Sequence, residues 1–188
     1  MVNGFIEPHV APRNKPAFSP KLVVIGIVIT IILVGSFLFS ILGSSSSPTA
    51  DMDRLNARID ALLEYLDSGD KQAESATMRR FNRDAITLIT GNARTVQNSL
   101  KSAGAKGKDK TIAARETADE DMEILRTAAV NGQFDDTYRQ MLDTKLTSTM
   151  ELLKTVNGKS SIKAVDDATS SLYESCKAIL EQLRSLVL

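Results

Sequence analysis

Apolar residues follow two patterns along this chain. Near the N-terminus they form one unbroken block, Leu22–Leu42, with no charged residue inside it. Beyond that block they recur every three or four positions, with polar residues between them, almost to the C-terminus. The first pattern is that of a membrane-crossing helix. At roughly 1.5 Å per residue, the 21 residues of the block reach about 31 Å, the thickness of a hydrocarbon core. Its many β-branched residues would weaken a helix in water. In lipid the backbone must satisfy its own hydrogen bonds, which leaves the helix as the single-segment solution. A cleaved signal peptide is the rival reading, although its apolar core is normally shorter, about 7–15 residues. Gly43 and Ser45 would fit around a cleavage site.

The second pattern predicts helices throughout. Ser47-Pro48 reads as an N-cap followed by proline at the first helical position. A helix from about Pro48 to Asp67 carries Met52, Leu55, Ile59, Leu62 and Leu66 at alternating spacings of three and four, a seam of two heptads. Ser68-Gly69-Asp70 is expected to end it, with Gly69 as the terminal glycine and Asp70 capping the next helix. That next helix, about Lys71–Ser102, places Met78, Phe81, Ala85, Leu88, Ile89, Val96 and Leu100 mainly on one face. After a glycine-containing loop, a third helix is expected from about Thr111 to Val130 on Ile112, Ala118, Met122, Leu125 and Ala129, stopped by Asn131-Gly132. A fourth covers about Phe134–Val156, stopped by Asn157-Gly158, and a fifth begins near Ser160 or Ser161.

No segment of four or more residues alternates in the way a half-buried strand does, so the fold class is all-α. Short connections favour antiparallel neighbours. The expected architecture is therefore a tail over 1–21, a transmembrane helix over 22–42, a linker and stalk helix over 43–67, and an up-down four-helix bundle over 68–188.

Charge orients this arrangement. Arg13, Lys15 and Lys21 precede the apolar block against one acid, Glu7, and the first cation after it is Arg54. That asymmetry places the tail in the cytoplasm and the bundle outside. The whole chain is balanced, with 23 basic and 23 acidic residues, which gives no reason to expect nucleic acid as a partner.

The chemistry is defined largely by what is missing. His9 is the only histidine and lies in the tail. The helical region therefore cannot form a Ser-His-Asp or Cys-His hydrolase, a Cys/His zinc site, or the Glu-x-x-His pairs of di-iron bundles. The one cysteine, Cys176, cannot form an internal disulfide, and its place between Leu172, Ile179 and Leu183 is a core position. Exposed, it could pair with another chain. Glu116, Asp119, Glu120, Asp121 and Glu123 cluster without a calcium-type loop and read as a solvated face. No metal or other cofactor is expected.

Two sets of residues are candidates for binding. Lys101, Lys106, Lys108 and Lys110 lie in and beside the loop AGAKGKDK, where they could meet anionic lipid or glycan; they lack the pattern of a phosphate-binding loop. Arg79, Arg80 and Arg83 add a short basic stripe without interleaved aromatics. The second set is the seam Met52, Leu55, Ile59, Leu62 and Leu66. It either packs onto its own bundle or pairs chains as a short coiled coil. Two heptads are marginal alone, but membrane anchoring raises effective concentration, and Ser36-x-x-x-Ser40 offers a small-residue contact between spans.

The layout, and the run NGQFDDTYRQMLDTKLTSTMELLKTVNG at Asn131–Gly158, resemble single-span helical membrane proteins of small-genome bacteria of the Saccharibacteria type. The resemblance covers the helices after Gly69, rests on pattern, and carries no activity with it.

Three functional classes follow. The first is a membrane-anchored binding or scaffolding protein of the cell envelope. Its partners are the bilayer, other membrane or envelope proteins, and a homo-oligomer. The second is a ligand-sensing ectodomain that signals through a partner, because the short tail leaves no room for an output domain. The third is an enzyme working by carboxylates alone. All three require a helical region outside the membrane. Residues 48–188 produced alone are expected to be soluble, with a circular dichroism spectrum dominated by helix; a strand-dominated spectrum would refute the fold.

Overall fold

The computed structural model describes residues 48–106, 116 and 119–186. The apolar block Leu22–Leu42, the tail before it, and Lys108 and Lys110 lie outside the described residues. Among the described residues no helix is long and apolar enough to cross a membrane. They contain five helices and no strand: α1, Pro48–Gln72; α2, Ala76–Ser102; α3, Asp119–Val130; α4, Phe134–Lys159; and α5, Lys163–Ser185.

Four of these form a closed square. α1 packs on α2 and α4, and α5 packs on the same two. Polar links along the shared edges give the directions. Asp60 with Gln97 and Asp70 with Arg83 run antiparallel between α1 and α2. Asp51 with Lys159, and Tyr65 on Tyr138, do the same between α1 and α4. Asp143 with Arg184, and Asn157 with the Asp166 carbonyl, set α4 against α5. Each neighbouring pair is therefore antiparallel. We call the end holding Pro48 the base and the opposite end the crown. α2 returns the chain to the base, yet α4 starts at the crown. The chain climbs between them, ending in α3, which lies outside the square and packs chiefly on α4.

This corrects the expected stalk. Met52, Leu55, Ile59, Leu62 and Leu66 are at most 5% exposed and sit in the core with Tyr65. The helix that carries them is the fourth wall of the bundle, and in this fold the seam is closed to a second chain. α3 is the outlier instead. Among its described side chains only Leu125 and Ala128 are buried, so it lacks a stripe wide enough to serve as a wall. Burying a Leu or Ile side chain contributes about 1.5–3 kcal/mol, and α1 brings four of them to the core against one from α3.

Several boundaries also move, each for a local reason. α1 runs through Ser68-Gly69-Asp70 to Gln72. Gly69 is not a stop: a Cβ there would lie 2.2 Å from Tyr138 Cζ, so the glycine lets that ring approach. The break falls at Ala73–Ser75, where Ser75 Oγ accepts from the Met78 amide at 3.1 Å. The Asp135 carboxylate accepts from the amides of Glu74 and Ser75 at 2.9 and 2.8 Å, and Arg79 Nη1 donates to the Ala73 carbonyl at 2.7 Å. At the other turn α4 continues through Gly158 to Lys159, while Asn157 Nδ2 donates to the Asp166 carbonyl of α5 at 3.0 Å. On α2, Leu88 is 44% exposed and falls off the apolar face; on α3, Ala128 is buried rather than Ala129.

Asn131-Gly132 does end its helix as the sequence implies. Gly132 adopts φ +64°, and the Gln133 amide donates to the Ala128 carbonyl at 2.9 Å, a glycine-terminated helix end.

If α1 is a wall, Leu55→Glu with Leu62→Glu leaves two unpaired charges in the core, at a cost of several kcal/mol each. The double variant should lose most of its helical signal and unfold at far lower denaturant. A folded bundle carrying both changes would show that α1 is dispensable to it.

Candidate functional site

At the base, α2 stops at Ser102 and the chain turns on Gly104, which adopts φ +96°. The Ala105 amide donates back to the Leu100 carbonyl at 3.0 Å, and the Lys106 amide donates to Asp53 Oδ1 at 2.8 Å. The turn is thereby tied across α1. Asp53 is buried, as is Asp51, which pairs with Lys159 at 2.6 Å. These contacts leave a cleft of about 580 Å³ between α1 and the end of α2. Its lining includes Asn56 and Asp60 from α1 and Gln97, Asn98, Lys101 and Lys106 from the other side. Gln97 Nε2 donates to Asp60 Oδ1 at 2.8 Å across it.

The structure thus brings Lys101 and Lys106 to one cleft; the sequence could say only that they were close along the chain. Two ammonium groups, three amides and one carboxylate can hold an anionic, hydrogen-bonding ligand of small-molecule size. Among the described residues no aromatic ring lines the cleft, so they offer no platform for base stacking.

The acidic cluster is not a solvated face throughout. Glu116 lies between two arginines. Arg54 Nε donates to Glu116 Oε1 at 2.8 Å; Arg58 Nε and Nη2 donate to Oε2 and Oε1 at 2.7 and 3.0 Å. Arg58 Nη1 also donates to the Ser148 carbonyl of α4 at 3.1 Å. Asp121 pairs with Lys145, whose ammonium sits 5.1 Å over the Tyr65 ring. Glu123, paired with Arg126, is exposed. Among the described residues no group of three His, Cys, Asp or Glu side chains converges as metal ligands.

The sequence reading missed the aromatic stack at the crown. Tyr138 lies between Tyr65 and Phe134, with ring centroids 5.0 and 5.6 Å away, and its hydroxyl donates to Asn82 Oδ1 at 2.7 Å. Asn82 is fully buried beside Phe81. A polar residue at a core position of the α2 repeat was the available signal.

Comparison with protein-family models, curated proteins and solved structures returns no match for this chain.

Burial gives the bundle an alkaline limit. It raises the pKa of Tyr65 and Tyr138 well above the usual phenol value, with smaller contributions from nearby negative charge. Burial also pushes the Cys176 thiol up to about 12. Each group is neutral when protonated, and each folded value exceeds the unfolded one. Their contribution is complete below the unfolded values and is lost as pH rises towards the folded ones. Stability should hold to about pH 9 and then fall, at about 1.4 kcal/mol per pH unit for each group engaged. Cys176→Ala should flatten the first part of that fall in denaturant titrations; an unchanged slope would mean that the thiol is not buried.

Proposed function

We propose that this chain is a membrane-anchored helical binding or scaffolding protein of the cell envelope, with its bundle on the extracytoplasmic side. The observation that carries the reading is the uninterrupted apolar block Leu22–Leu42, preceded by Arg13, Lys15 and Lys21 and separated from α1 by only five residues. Its length fits a bilayer, and its flanking cations favour a cytoplasmic tail. A sealed helical core without histidine supports a binding role over catalysis, because the helical region has no histidine to serve as a base.

The basal cleft favours a second reading, a ligand-sensing ectodomain. Lys101 and Lys106 supply the charge such a site needs, and a ligand bound there would bridge α1 and α2. The ligand would then bias the packing of the two helices, which is how a bundle passes a signal to a partner.

Cysteines introduced at Asn14 and Gly107, in a background carrying Cys176→Ala, test the anchored reading. Gly107→Cys should react with a membrane-impermeant maleimide on intact cells, and Asn14→Cys only after permeabilization. Labelling of Asn14→Cys from outside would reverse the orientation. Recovery of the chain in the soluble fraction would remove the anchor.

A further inference from the structure

α2 and α5 share an outward face. On α2 it carries Leu88, Thr95 and Ser102, seven residues apart, with Gly91 among them. On α5 it carries Ala164, Ser171, Ala178 and Ser185, again seven apart, and all of these residues are exposed. Leu88 is one of only three large apolar side chains exposed among the described residues. Beside it, a Cβ built on Gly91 would meet nothing within 4 Å. A glycine inside an exposed helix costs about 1 kcal/mol relative to alanine, and no internal contact here requires one.

Charges frame this face. Arg94 on the outer flank of α2 and Glu174 on the outer flank of α5 are both exposed, and neither has a partner among the described residues. Their heights follow from the bond between Asn92 Nδ2 and Ser175 Oγ, 2.7 Å, because the two helices are antiparallel. Arg94 is two residues past Asn92, and Glu174 is one before Ser175. They stand within about one residue rise, ~1.5 Å, of the same height. Leu88 with Ala178, Thr95 with Ser171, and Ser102 with Ala164 are level to the same tolerance.

We propose that this face docks a second copy of the chain, in a symmetric pair whose two-fold axis runs parallel to the bundle. That operation keeps every height and exchanges the helices, so α2 lies antiparallel on α5 of the partner. Leu88 meets the partner's Ala178, Thr95 meets the partner's Ser171, and small residues let the backbones approach. Arg94 meets the partner's Glu174 at both edges. The Arg94–Glu174 edge is its own electrostatic complement, and symmetric assembly uses that property. An anionic membrane surface fits less well, because Asp84, Asp167 and Glu174 are exposed on the same face. The axis leaves both copies of Pro48 at the same end, as two chains anchored in one bilayer require. To that extent the proposal rests on the anchored reading.

The test uses two differently tagged full-length chains expressed together, one with Arg94→Cys and one with Glu174→Cys, both carrying Cys176→Ala. A short bis-maleimide is applied to whichever fraction holds the chain, so loss of anchoring and loss of pairing are separate results. The expected product joins the two tags, while Arg94→Cys alone gives none, because the two copies of that position lie on opposite edges. In parallel, energy transfer between labelled full-length chains follows dimerization. Arg94→Glu and Glu174→Arg should each weaken it more than about tenfold through like-charge contact, and the double exchange should restore it. These positions are exposed, and retained helicity will confirm that the variants fold. A strictly monomeric chain, crosslinking of Arg94→Cys to itself, or a double exchange no better than either single change would overturn the proposal.

Discussion

The Tyr138 ring packs against the backbone of Gly69, where no side chain fits. Much of the crown follows from it. With no Cβ in the way, the ring slides over α1, stacks between Tyr65 and Phe134, and delivers its hydroxyl to Asn82 on α2. One side chain of α4 thereby ties three helices together. α1 stays helical past this contact to Gln72, and Ser75 and Asp135 form the sharp turn into α2.

Element type was readable from the sequence because each helix is long and strongly periodic. The assignment of walls was not. The seam on α1 is as regular as that of a coiled coil, and periodicity alone cannot say whether such a stripe meets its own chain or another. Gly69 and Gly158 looked like stops because glycine is the usual terminator, yet both lie within helices. Gly132 and Gly104 do take up the left-handed backbone that makes glycine a terminator. What separates the two pairs is tertiary contact, which has no local signature. The same holds for the basal cleft. Lys101 and Lys106 stood out by type, but Asn56, Asp60 and Gln97 join them only through the packing of α1 on α2.

Two kinds of force hold the two parts of the bundle. The square is closed by apolar burial, with charges at its edges. The climbing segment relies more on charge, through Glu116 on Arg54 and Arg58 and Asp121 on Lys145. Arg58 and Glu116 are largely shielded, with side chains only 15% and 11% exposed, so salt weakens their attraction less than it would at an open surface. Arg58 also reaches the Ser148 carbonyl, so the pair fastens the segment to α1 and α4 together.

The climb outside the square has a consequence for how the chain reaches its native state. Because the chain is back at the crown before α4 starts, α1 pairs with α2, α3 with α4 and α4 with α5, and most contacts close over short stretches of chain. Low contact order of this kind belongs to fast-folding topologies. The hairpins α1–α2 and α4–α5 can each collapse as local units, leaving only the docking of one on the other as a long-range event. A chain emerging N-terminus first can then pair α1 with α2 before the remainder has been synthesized, which limits the time that their facing apolar side chains spend exposed to other chains.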